Sequence, residues 1–535
     1  MTRFLLAGTA IAVHLLLAQP ALAQSSGFNI AGFGVEGNTL LTAAQIRATL
    51  APYTGADRKM GDINKAADAL RAAYRTAGYP IVQVFPPEQA VSSGQIVLKV
   101  IEGKVQSVKV AGNTAYDAGN IRASLPLLKQ GASPNASRLE AAIALANENP
   151  AKQISVNFQS GVKPGEIDSR IDVTEDRIAK YFVTFDNSGS SSTGYNRLGV
   201  GYQNANLFNR DHILTLQYLT SPDHLNDVSS YSVGYRIPFY EHGMALDLLG
   251  AYSDTAVANT PTPAGPMNFT GQGSVYAARL NQTLPSIDDL RHKLVYGIDY
   301  KDFNNDCTLN SAPLSGCGSV TAQPASLAYL ALVARPAFQA SGGVTYVSNL
   351  PGGKHGAGTD YTAARNGART TWSAWRLSGS VGVPLPKDWQ AHVAVNAQIT
   401  GDLLVPGEQF GAGGATSVRG YSERAASGDE GASGNFEIYT PELGKVLAFP
   451  DANLRGLFFY DVAKVSRNGT LRVTEKRANN LSSLGVGLRY GHKKDLNVKL
   501  DIGWVQESIA TADAPPRPIR DRDDVRGHLS LSYVF

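Results

Sequence analysis

Apolar and polar side chains alternate along most of the chain, from Ile178 to the C-terminus. A period of two is typical of β-strands that have one apolar and one polar face. No helical period interrupts this alternation, so the pattern predicts a long series of strands. The clearest examples are Tyr231-Val233-Tyr235-Ile237-Phe239, Val393-Val395-Ile399, Leu484-Val486-Leu488-Tyr490, Val498-Leu500-Ile502-Trp504 and Leu529-Leu531-Tyr533-Phe535.

Strands of this kind build either a soluble β-sandwich or a closed barrel that turns its apolar face to lipid. Residues 178–535 are too many for one ordinary soluble β-domain, and the series ends on an apolar strand at Phe535. A closed transmembrane barrel accounts for both observations and leaves no unpaired strand edge. With about 10 residues per strand, plus turns and loops, we expect about 16 antiparallel strands.

The first third of the chain has a different pattern and contains an internal repeat. Two matches at one offset of about 75 positions indicate duplicated modules. Each copy combines short strands with amphipathic helices, such as the one predicted over Ile63 to Ala77 with Asp62 as its cap. We therefore expect two small α+β modules, at residues 24–103 and 104–177. The matching strings are Val35-Glu36-Gly37-Asn38-Thr39 with Val110-Ala111-Gly112-Asn113-Thr114, and Ile46-Arg47-Ala48-Thr49-Leu50 with Ile121-Arg122-Ala123-Ser124-Leu125.

The N-terminus has the pattern of a cleaved secretion signal, which we place at residues 1–23. Arg3 precedes an apolar run from Phe4 to Leu17, and Ala21-Leu22-Ala23 supplies the small residues that a signal peptidase requires. A membrane anchor is the alternative, but it needs about 20 apolar residues, more than this run contains. Secretion combined with membrane-spanning strands predicts a protein of the outer membrane whose two modules lie in the periplasm.

The composition excludes several other classes of protein. Charged residues make up 17% of the chain, against about 25% in an average soluble protein. Hydrophobic residues make up 43%, and the mean hydropathy is −0.15, which fits neither a helical membrane protein nor a disordered chain. The net charge is only +3, and basic blocks with interleaved aromatic residues are absent, so we expect no nucleic-acid partner.

The sequence contains no pattern associated with catalysis or with a cofactor. Nucleophile-elbow, zinc-protease and P-loop strings are absent, and the nine histidines lack ligand spacing. We therefore expect no enzyme, no metal, no nucleotide and no other cofactor. The two cysteines, Cys307 and Cys317, lie in a polar loop, and an oxidising compartment favours a disulfide between them. A metal site would need two further ligands.

A glycine-rich loop carries the string that points to a family. It reads Val418-Arg419-Gly420-Tyr421, followed by Glu423, Gly428-Asp429 and Gly431. This string resembles the sixth-loop motif of the two-partner secretion transporters, the haemolysin secretion/activation family of POTRA-bearing outer-membrane barrels. The resemblance covers nearly the whole mature chain. The paired repeats look like two POTRA domains, and Phe459-Tyr460-Asp461 is similar to the family's Phe-x-Asp strand motif.

The resemblance implies a site inside the barrel of residues 178–535. In this family the sixth loop, here near residues 405–435, folds back into the lumen, and its arginine reaches a carboxylate on the wall. Arg419 would be that arginine and Asp461 its partner, with Glu437 as a weaker candidate. The alternation agrees with this pairing, because Asp461 has the parity of the lumen face. The alternative interpretations are a solvated loop arginine and a carboxylate that only hydrates the lumen.

The resemblance also implies a function and a partner. A transporter of this family would capture an unfolded exoprotein through its POTRA domains and export it through the barrel to the cell surface. The partner would be a large β-helical adhesin or haemolysin-like protein with its own secretion domain, and outer-membrane lipid would surround the barrel. Only Gln24 to Gly27 separate the signal from the first strand. We therefore expect no plug helix there, and the sixth loop would obstruct the pore.

Two other functions stay open from the sequence. An insertase that assembles outer-membrane proteins has related modules, but usually more than two of them. A passive porin or a barrel enzyme would need neither periplasmic modules nor the sixth-loop motif, and catalytic strings are missing. These features favour the export of a partner protein.

Overall fold

The computed structural model describes residues 27–90, 93–190, 193–225, 228–254, 272–304, 308–309, 312–313, 318–444, 451–470, 476–510, 518–520 and 522–535. The signal predicted at residues 1–23 and the disulfide predicted between Cys307 and Cys317 lie outside the described residues. The chain divides into two compact units. The first α+β module forms one unit, and the second module belongs to the other unit together with the strands that follow it.

The first module packs two helices on a three-stranded sheet whose strand order is Gly32–Glu36 (β2), Gln95–Glu102 (β5) and Val82–Phe85 (β4). Its longer helix begins at Met60, about one turn before the predicted start at Ile63. Asp62 therefore lies inside the first turn of the helix and is not its cap residue. The Asp62 carboxylate accepts the Lys59 N–H at 3.0 Å. Leu70 and Tyr74 of this helix are buried against the sheet. The elements are β1 Phe28–Ile30, β2 Gly32–Glu36, α1 Ala43–Leu50, β3 Gly55–Arg58, α2 Met60–Thr76, β4 Val82–Phe85 and β5 Gln95–Glu102.

The second module repeats this plan with a sheet of order β6-β8-β7. Asn135 caps its longer helix by accepting the Arg138 N–H at 3.2 Å. The elements are β6 Lys104–Ala111, α3 Ala118–Ala123, α4 Ala136–Ala146, β7 Lys152–Ser160 and β8 Glu166–Glu175. Among the described residues, no helix has both the length and the apolar character needed to cross a bilayer.

The repeated Gly-Asn-Thr strings form the same turn in both modules. Gly37 and Gly112 have φ angles of 83° and 84°, a backbone conformation that favours glycine. A Cβ atom at either position would overlap a carbonyl oxygen of the last strand of its module. The repeat therefore marks a turn at which only glycine fits.

A carboxylate at the end of the last strand holds each of these turns. Glu175 accepts the N–H groups of Thr114, Ala115 and Tyr116 at 3.0, 2.7 and 3.1 Å. In the first module, Glu102 binds the corresponding turn, accepting N–H groups at 2.7 and 3.0 Å. Both modules thus use one device, a carboxylate that satisfies backbone donors which the turn leaves unpaired.

Acidification is expected to loosen the turn of the second module. Burial raises the pKa of Glu175, but hydrogen bonds from Ala115, Thr114 and Tyr116 outweigh it and hold this pKa below its ordinary value. The stabilisation is present above the unfolded-state pKa of about 4.3, and it is lost as the pH falls through the folded-state pKa. Amide exchange at residues 114–116, corrected for the intrinsic pH effect, should accelerate on acidification. In Glu175→Gln it should be fast and insensitive to pH; native-like protection in that variant would contradict the prediction.

Sixteen antiparallel strands close into a barrel within the described residues, in which the last strand pairs with the first. This confirms the barrel of about 16 strands predicted from the alternation. The barrel strands are β9 Ala179–Asp186, β10 Arg197–Leu207, β11 His212–Thr220, β12 Ser229–Phe239, β13 Met244–Ser253, β14 Gln272–Thr283, β15 Leu290–Asn304, β18 Val320–Arg335, β19 Phe338–Leu350, β20 Ser373–Pro384, β21 Gln390–Ile399, β24 Glu430–Tyr439, β25 Ala452–Ser466, β26 Ala478–His492, β27 Leu496–Val505 and β30 Val525–Val534. The described connections contain α5 Gly358–Ala364 and the short hairpins β16 Thr308–Leu309 with β17 Ala312–Pro313, β22 Phe410–Ala412 with β23 Ala426–Gly428, and β28 Ile509–Ala510 with β29 Pro518–Arg520.

The apolar face of the barrel points outward. On β25, Phe458 and Tyr460 are 56% and 42% exposed, whereas Asp461 is fully buried on the lumen side. On β12, Tyr231 is 53% exposed and its neighbour Ser230 is buried. An outward apolar surface with an inward polar one is what a lipid bilayer requires of a closed barrel.

Phe535 takes part in closing the barrel. Its N–H donates to the Tyr181 carbonyl, and the Tyr181 N–H donates to the Phe535 carbonyl, both at 2.9 Å. The two rings stack with their centroids 5.8 Å apart. The aromatic end of the alternating pattern therefore extends the pairing between the first and the last strand.

A buried charge joins the second module to the barrel. Lys152, at the start of β7, is 1% exposed, and its Nζ donates to Asp211 in the β10–β11 turn. The same Nζ donates to Ser124 Oγ at 2.7 Å, and the Tyr240 hydroxyl donates to Asp211 Oδ2 at 2.7 Å. Burial lowers the pKa of Lys152, although Asp211 opposes this shift. We call these four residues the junction cluster.

Candidate functional site

The glycine-rich loop connects β21 to β24 and spans residues 400–429. The sequence placed it near residues 405–435, but its last residues belong to β24. Gly431 and Gly434 lie in the strand ladder, opposite Val465 and Val462. The hairpin β22–β23 forms the neck of the loop, and residues 418–421 form its tip.

Arg419 at the tip lies against the inner wall of the barrel. Its Nε and Nη2 donate to Oδ2 and Oδ1 of Asp461 at 2.7 and 2.8 Å, and its backbone N–H donates to Oδ2 at 3.1 Å. Arg419 is 3% exposed, and Asp461 on β25 is fully buried. The planar fork of a guanidinium matches a carboxylate in this two-bond geometry. The loop therefore enters the lumen and binds its wall.

Two further carboxylates face the same guanidinium. Arg419 Nη1 lies 2.8 Å from Glu437 Oε1 on β24 and 3.6 Å from Asp501 Oδ1 on β27. Asp501 also accepts from Arg489 at 2.8 and 3.0 Å. Glu437 was the weaker candidate from the sequence. Asp501 was not singled out there, because the only indication of its role was an alternation that places it on the lumen face of its strand. We call Arg419 with these three carboxylates the latch.

Phe459, the other residue of the strand motif, lies against Arg419. The guanidinium carbon is 3.6 Å from the centroid of its ring, a distance suited to a cation–π contact. A Cβ atom on Gly485 of β26 would overlap this ring, so glycine leaves the space for it. Asn435, which sequence reasoning missed, donates to Asp461 Oδ1 at 2.8 Å.

The remaining motif residues also contact the wall. Val418 and Tyr421 are fully buried in an apolar cluster with side chains of β25, β26 and β27. The Tyr421 hydroxyl donates to the Glu507 carbonyl at 2.6 Å. Gly420 has a φ of 95°, and its N–H donates to His528 Nε2 at 2.9 Å. Each residue of the tip therefore has a specific partner.

Asp429, at the other end of the loop, binds a neighbouring connection. It is fully buried and accepts two hydrogen bonds from Arg365, which follows α5 in the β19–β20 connection. The Leu404 N–H donates to the same carboxylate at 2.7 Å. The β19–β20 connection, which sequence reasoning did not link to the sixth loop, therefore helps to fix it.

Chemically, the latch stabilises a conformation. Charge-assisted hydrogen bonds contribute about 1.5–3 kcal/mol each, and burial of Arg419 protects them from competing water. The geometry is that of a charge-assisted contact between a loop and a wall.

A family model described as haemolysin secretion/activation protein ShlB/FhaC/HecB matches residues 165–490, more than half of the chain. The chain belongs to this family. A second model, the ShlB-type POTRA domain, matches residues 28–103, which contain the first α+β module. As a member of the ShlB/FhaC/HecB family, the chain is a two-partner secretion transporter of the outer membrane with periplasmic POTRA modules, and such transporters export partner exoproteins.

The curated relatives of this ShlB/FhaC/HecB member are transporters. The outer membrane transporter CdiB of Dickeya dadantii (strain 3937) is 25% identical over 436 residues, which cover 76% of this chain and 72% of the relative. The heme/hemopexin transporter protein HuxB of Haemophilus influenzae (strain 86-028NP) is 24% identical over 531 residues, covering 93% and 85%. The solved structure of CdiB from Escherichia coli matches with a TM-score of 0.75 at 18% identity, covering 97% of this chain and 93% of that one. This last match shows the shared fold.

Proposed function

We propose that this transporter captures its partner exoprotein unfolded in the periplasm and passes it through the barrel when the sixth loop leaves the lumen. The contact between Arg419 and Asp461 is the observation that carries the proposal. A loop held by a few charge-assisted bonds can be displaced and can return, as repeated transport requires. A strand of the barrel ladder could not, because it would have to break a whole row of backbone hydrogen bonds.

The two modules supply sheet edges for the capture of an extended chain. β4 and β7 lie at the edges of their sheets. Phe85 on β4 and Phe158 on β7 are 38% and 36% exposed. An unfolded segment of the exoprotein adds to such an edge as a further strand. Backbone hydrogen bonds then provide affinity with little demand on sequence, and the exposed rings contact apolar side chains of the segment.

The direction of transport comes from the partner and not from a nucleotide. The sequence has no P-loop string, and folding of the exoprotein outside the cell prevents it from sliding back. A large β-helical adhesin or haemolysin-like protein with its own secretion domain suits this scheme, because each new strand folds onto the previous ones. The barrel itself needs no catalytic residue for such a role.

The test is to delete this chain from cells that produce a candidate partner exoprotein, and to restore it from a plasmid. Surface exoprotein should disappear on deletion and return on complementation, while the amounts of other outer-membrane barrels stay constant. A general loss of outer-membrane barrels would instead identify an insertase. Unchanged surface exoprotein would instead indicate a passive pore. Either result would overturn the proposal.

Removing an exposed ring from a sheet edge is expected to weaken capture. Phe158→Ala and Phe85→Ala should each reduce binding of the purified full-length transporter to the unfolded secretion domain of the exoprotein by roughly threefold to tenfold, since burying an aromatic ring contributes about 1 kcal/mol or more. Val162→Ala is the matched control, because Val162 is 97% exposed and lies outside the strands. Binding can be measured by surface plasmon resonance. Equal affinities for all four proteins would exclude capture at these edges.

A further inference from the structure

We infer that Glu408 is a second anchor of the sixth loop, which binds the base of the loop to the lumen wall and must release together with the latch before the pore opens. The inference rests on the proposed function, since it concerns how the loop leaves the lumen. It adds a positioning residue of the loop that lies outside the motif and contacts a different part of the wall.

Glu408 lies early in the loop, at the end of a single helical turn from Pro406. It is 2% exposed, and each of its carboxylate oxygens has its own cation. Lys301 Nζ donates to Oε1 at 2.8 Å, and Arg376 Nη2 donates to Oε2 at 2.8 Å. A buried carboxylate needs such partners, because burying it without them would be strongly unfavourable.

The two cations belong to the barrel wall. Lys301 is on β15 and Arg376 is on β20, and both have the lumen parity, since Ile298 and Trp375 are 52% and 49% exposed on the opposite face. In the barrel order, β21 and β24 separate β20 from β25, which carries Asp461. The second anchor therefore contacts a different sector of the wall from the latch.

The two anchors have opposite polarity. At the tip, a loop cation binds acidic wall residues; at the base, a loop anion binds basic wall residues. The difference concerns the direct partners, since the wall also holds Asp299 at 3.7 Å from Lys301 and Arg489 bound to Asp501. This arrangement specifies the orientation of the loop as well as its depth, and it makes the two contacts separate constraints.

Neighbouring contacts fix the position of Glu408 itself. The Gln398 amide on β21 donates to the Glu408 carbonyl at 3.0 Å and to the Asp429 carbonyl at 2.9 Å. The adjacent Gly407 packs against Phe303, so closely that a Cβ atom would lie 2.6 Å from the ring. Arg376 is held in turn by the Gln398 oxygen at 2.9 Å. The carboxylate is thus directed at its two cations by built contacts.

Two separate anchors predict how the variants combine. Loss of the latch alone leaves the base of the loop bound, so the loop still obstructs the lumen with a misplaced tip. Loss of Glu408 alone leaves the tip bound. Only loss of both contacts frees the loop, and because separate contacts add in free energy, their fold-effects on pore opening should multiply.

The experiment measures the open fraction of single channels in planar lipid bilayers, without any exoprotein, for the native protein, Glu408→Gln, Arg419→Ala and the double variant. We expect a small open fraction in each single variant, and in the double variant a fold-increase close to the product of the two single fold-increases. Because no exoprotein is present, failure of the proposed export would not affect this result. Heat-modifiable electrophoretic mobility establishes that each barrel is folded, and Arg376→Gln replaces Glu408→Gln if that variant does not assemble.

Asp402→Asn is the matched control in the Arg419→Ala background. Asp402 is also a carboxylate of this connection. It pairs with the largely exposed Arg369, and exposed pairs contribute little; its other bond, from the Ser373 N–H at 2.9 Å, can be kept by the asparagine carbonyl oxygen. It should add nothing to the opening caused by Arg419→Ala. The inference is overturned if Glu408→Gln adds no more than Asp402→Asn does, or if Glu408→Gln alone opens the pore fully.

Discussion

Replacing Arg419 by alanine is expected to reduce export of the partner exoprotein strongly, while the barrel assembles normally. The change leaves Asp461 fully buried without its cation, and breaking a buried ion pair in this way costs about 3–5 kcal/mol. Since about 1.4 kcal/mol changes a population ratio tenfold, the latched conformation should lose roughly a hundredfold or more in population. The released tip then lies misplaced in the lumen, because the base of the loop stays bound at Glu408, and it obstructs the exoprotein. Assembly should be unaffected, because the backbone ladder of sixteen strands does not involve this side chain.

Arg419→Lys is the matched variant for this prediction. A lysine keeps the charge but has no planar fork, so it cannot reproduce the two parallel bonds to Asp461. Export should therefore recover only in part, as measured by exoprotein in the medium at equal amounts of heat-modifiable barrel. Native export by Arg419→Lys would mean that charge alone suffices, and native export by Arg419→Ala would mean that the latch has no role.

Removing the buried lysine of the junction cluster is expected to detach the second module from the barrel. In Lys152→Met, Asp211 stays buried without its cation, which should cost about 3–5 kcal/mol. The contact between β7 and the β10–β11 turn should then open roughly a hundredfold more often. Amide exchange at position 211 in detergent micelles measures this opening, because the N–H of this residue donates to Asn206 Oδ1 at 3.0 Å, and Asn120 of the module binds the same oxygen at 3.2 Å.

The control for the junction is the double variant Lys152→Met with Asp211→Asn. Neutralising both partners removes the unpaired charge, and replacing a buried ion pair by neutral groups of similar volume is often tolerated. Asparagine also accepts the left-handed backbone of this position, where φ is 59°. Protection should therefore return towards the native level. If the double variant exchanges as fast as Lys152→Met, the charge pair is not what holds the module.

The barrel and the repeated turn could be predicted from the sequence because each follows from a local physical rule. Lipid on one side and water on the other impose a period of two, and a turn with positive φ requires Gly37 and Gly112. Boundaries were less certain. Asp62 was expected to precede its helix but lies in the first turn, because an acidic residue is favourable at either position. Gly431 was expected in the loop but lies in β24, because glycine occurs in strands as well as in loops.

The contact of Arg419 with Asp461 was within reach of the sequence because a motif and the strand parity agreed. The roles of Glu408 and Lys152 could not be predicted from the sequence, because neither residue lies in a repeated string or an alternating pattern. Lys152 and Asp211 are 59 positions apart, and Glu408 and Lys301 are 107 apart. Only the tertiary fold brings such partners together, by packing of the second module on the β10–β11 turn for Lys152 and by closure of the barrel around the loop for Glu408, and local patterns do not encode this topology.

The central claim is that the contact between Arg419 and Asp461 controls the loop that admits the exoprotein. A double-mutant cycle on export tests it most directly, with the native protein, Arg419→Ala, Asp461→Ala and the double variant compared at equal amounts of assembled barrel. Residues that act through one contact are not additive, so the double variant should export about as much exoprotein as the worse single variant. Single defects that simply multiply in the double variant would contradict the claim.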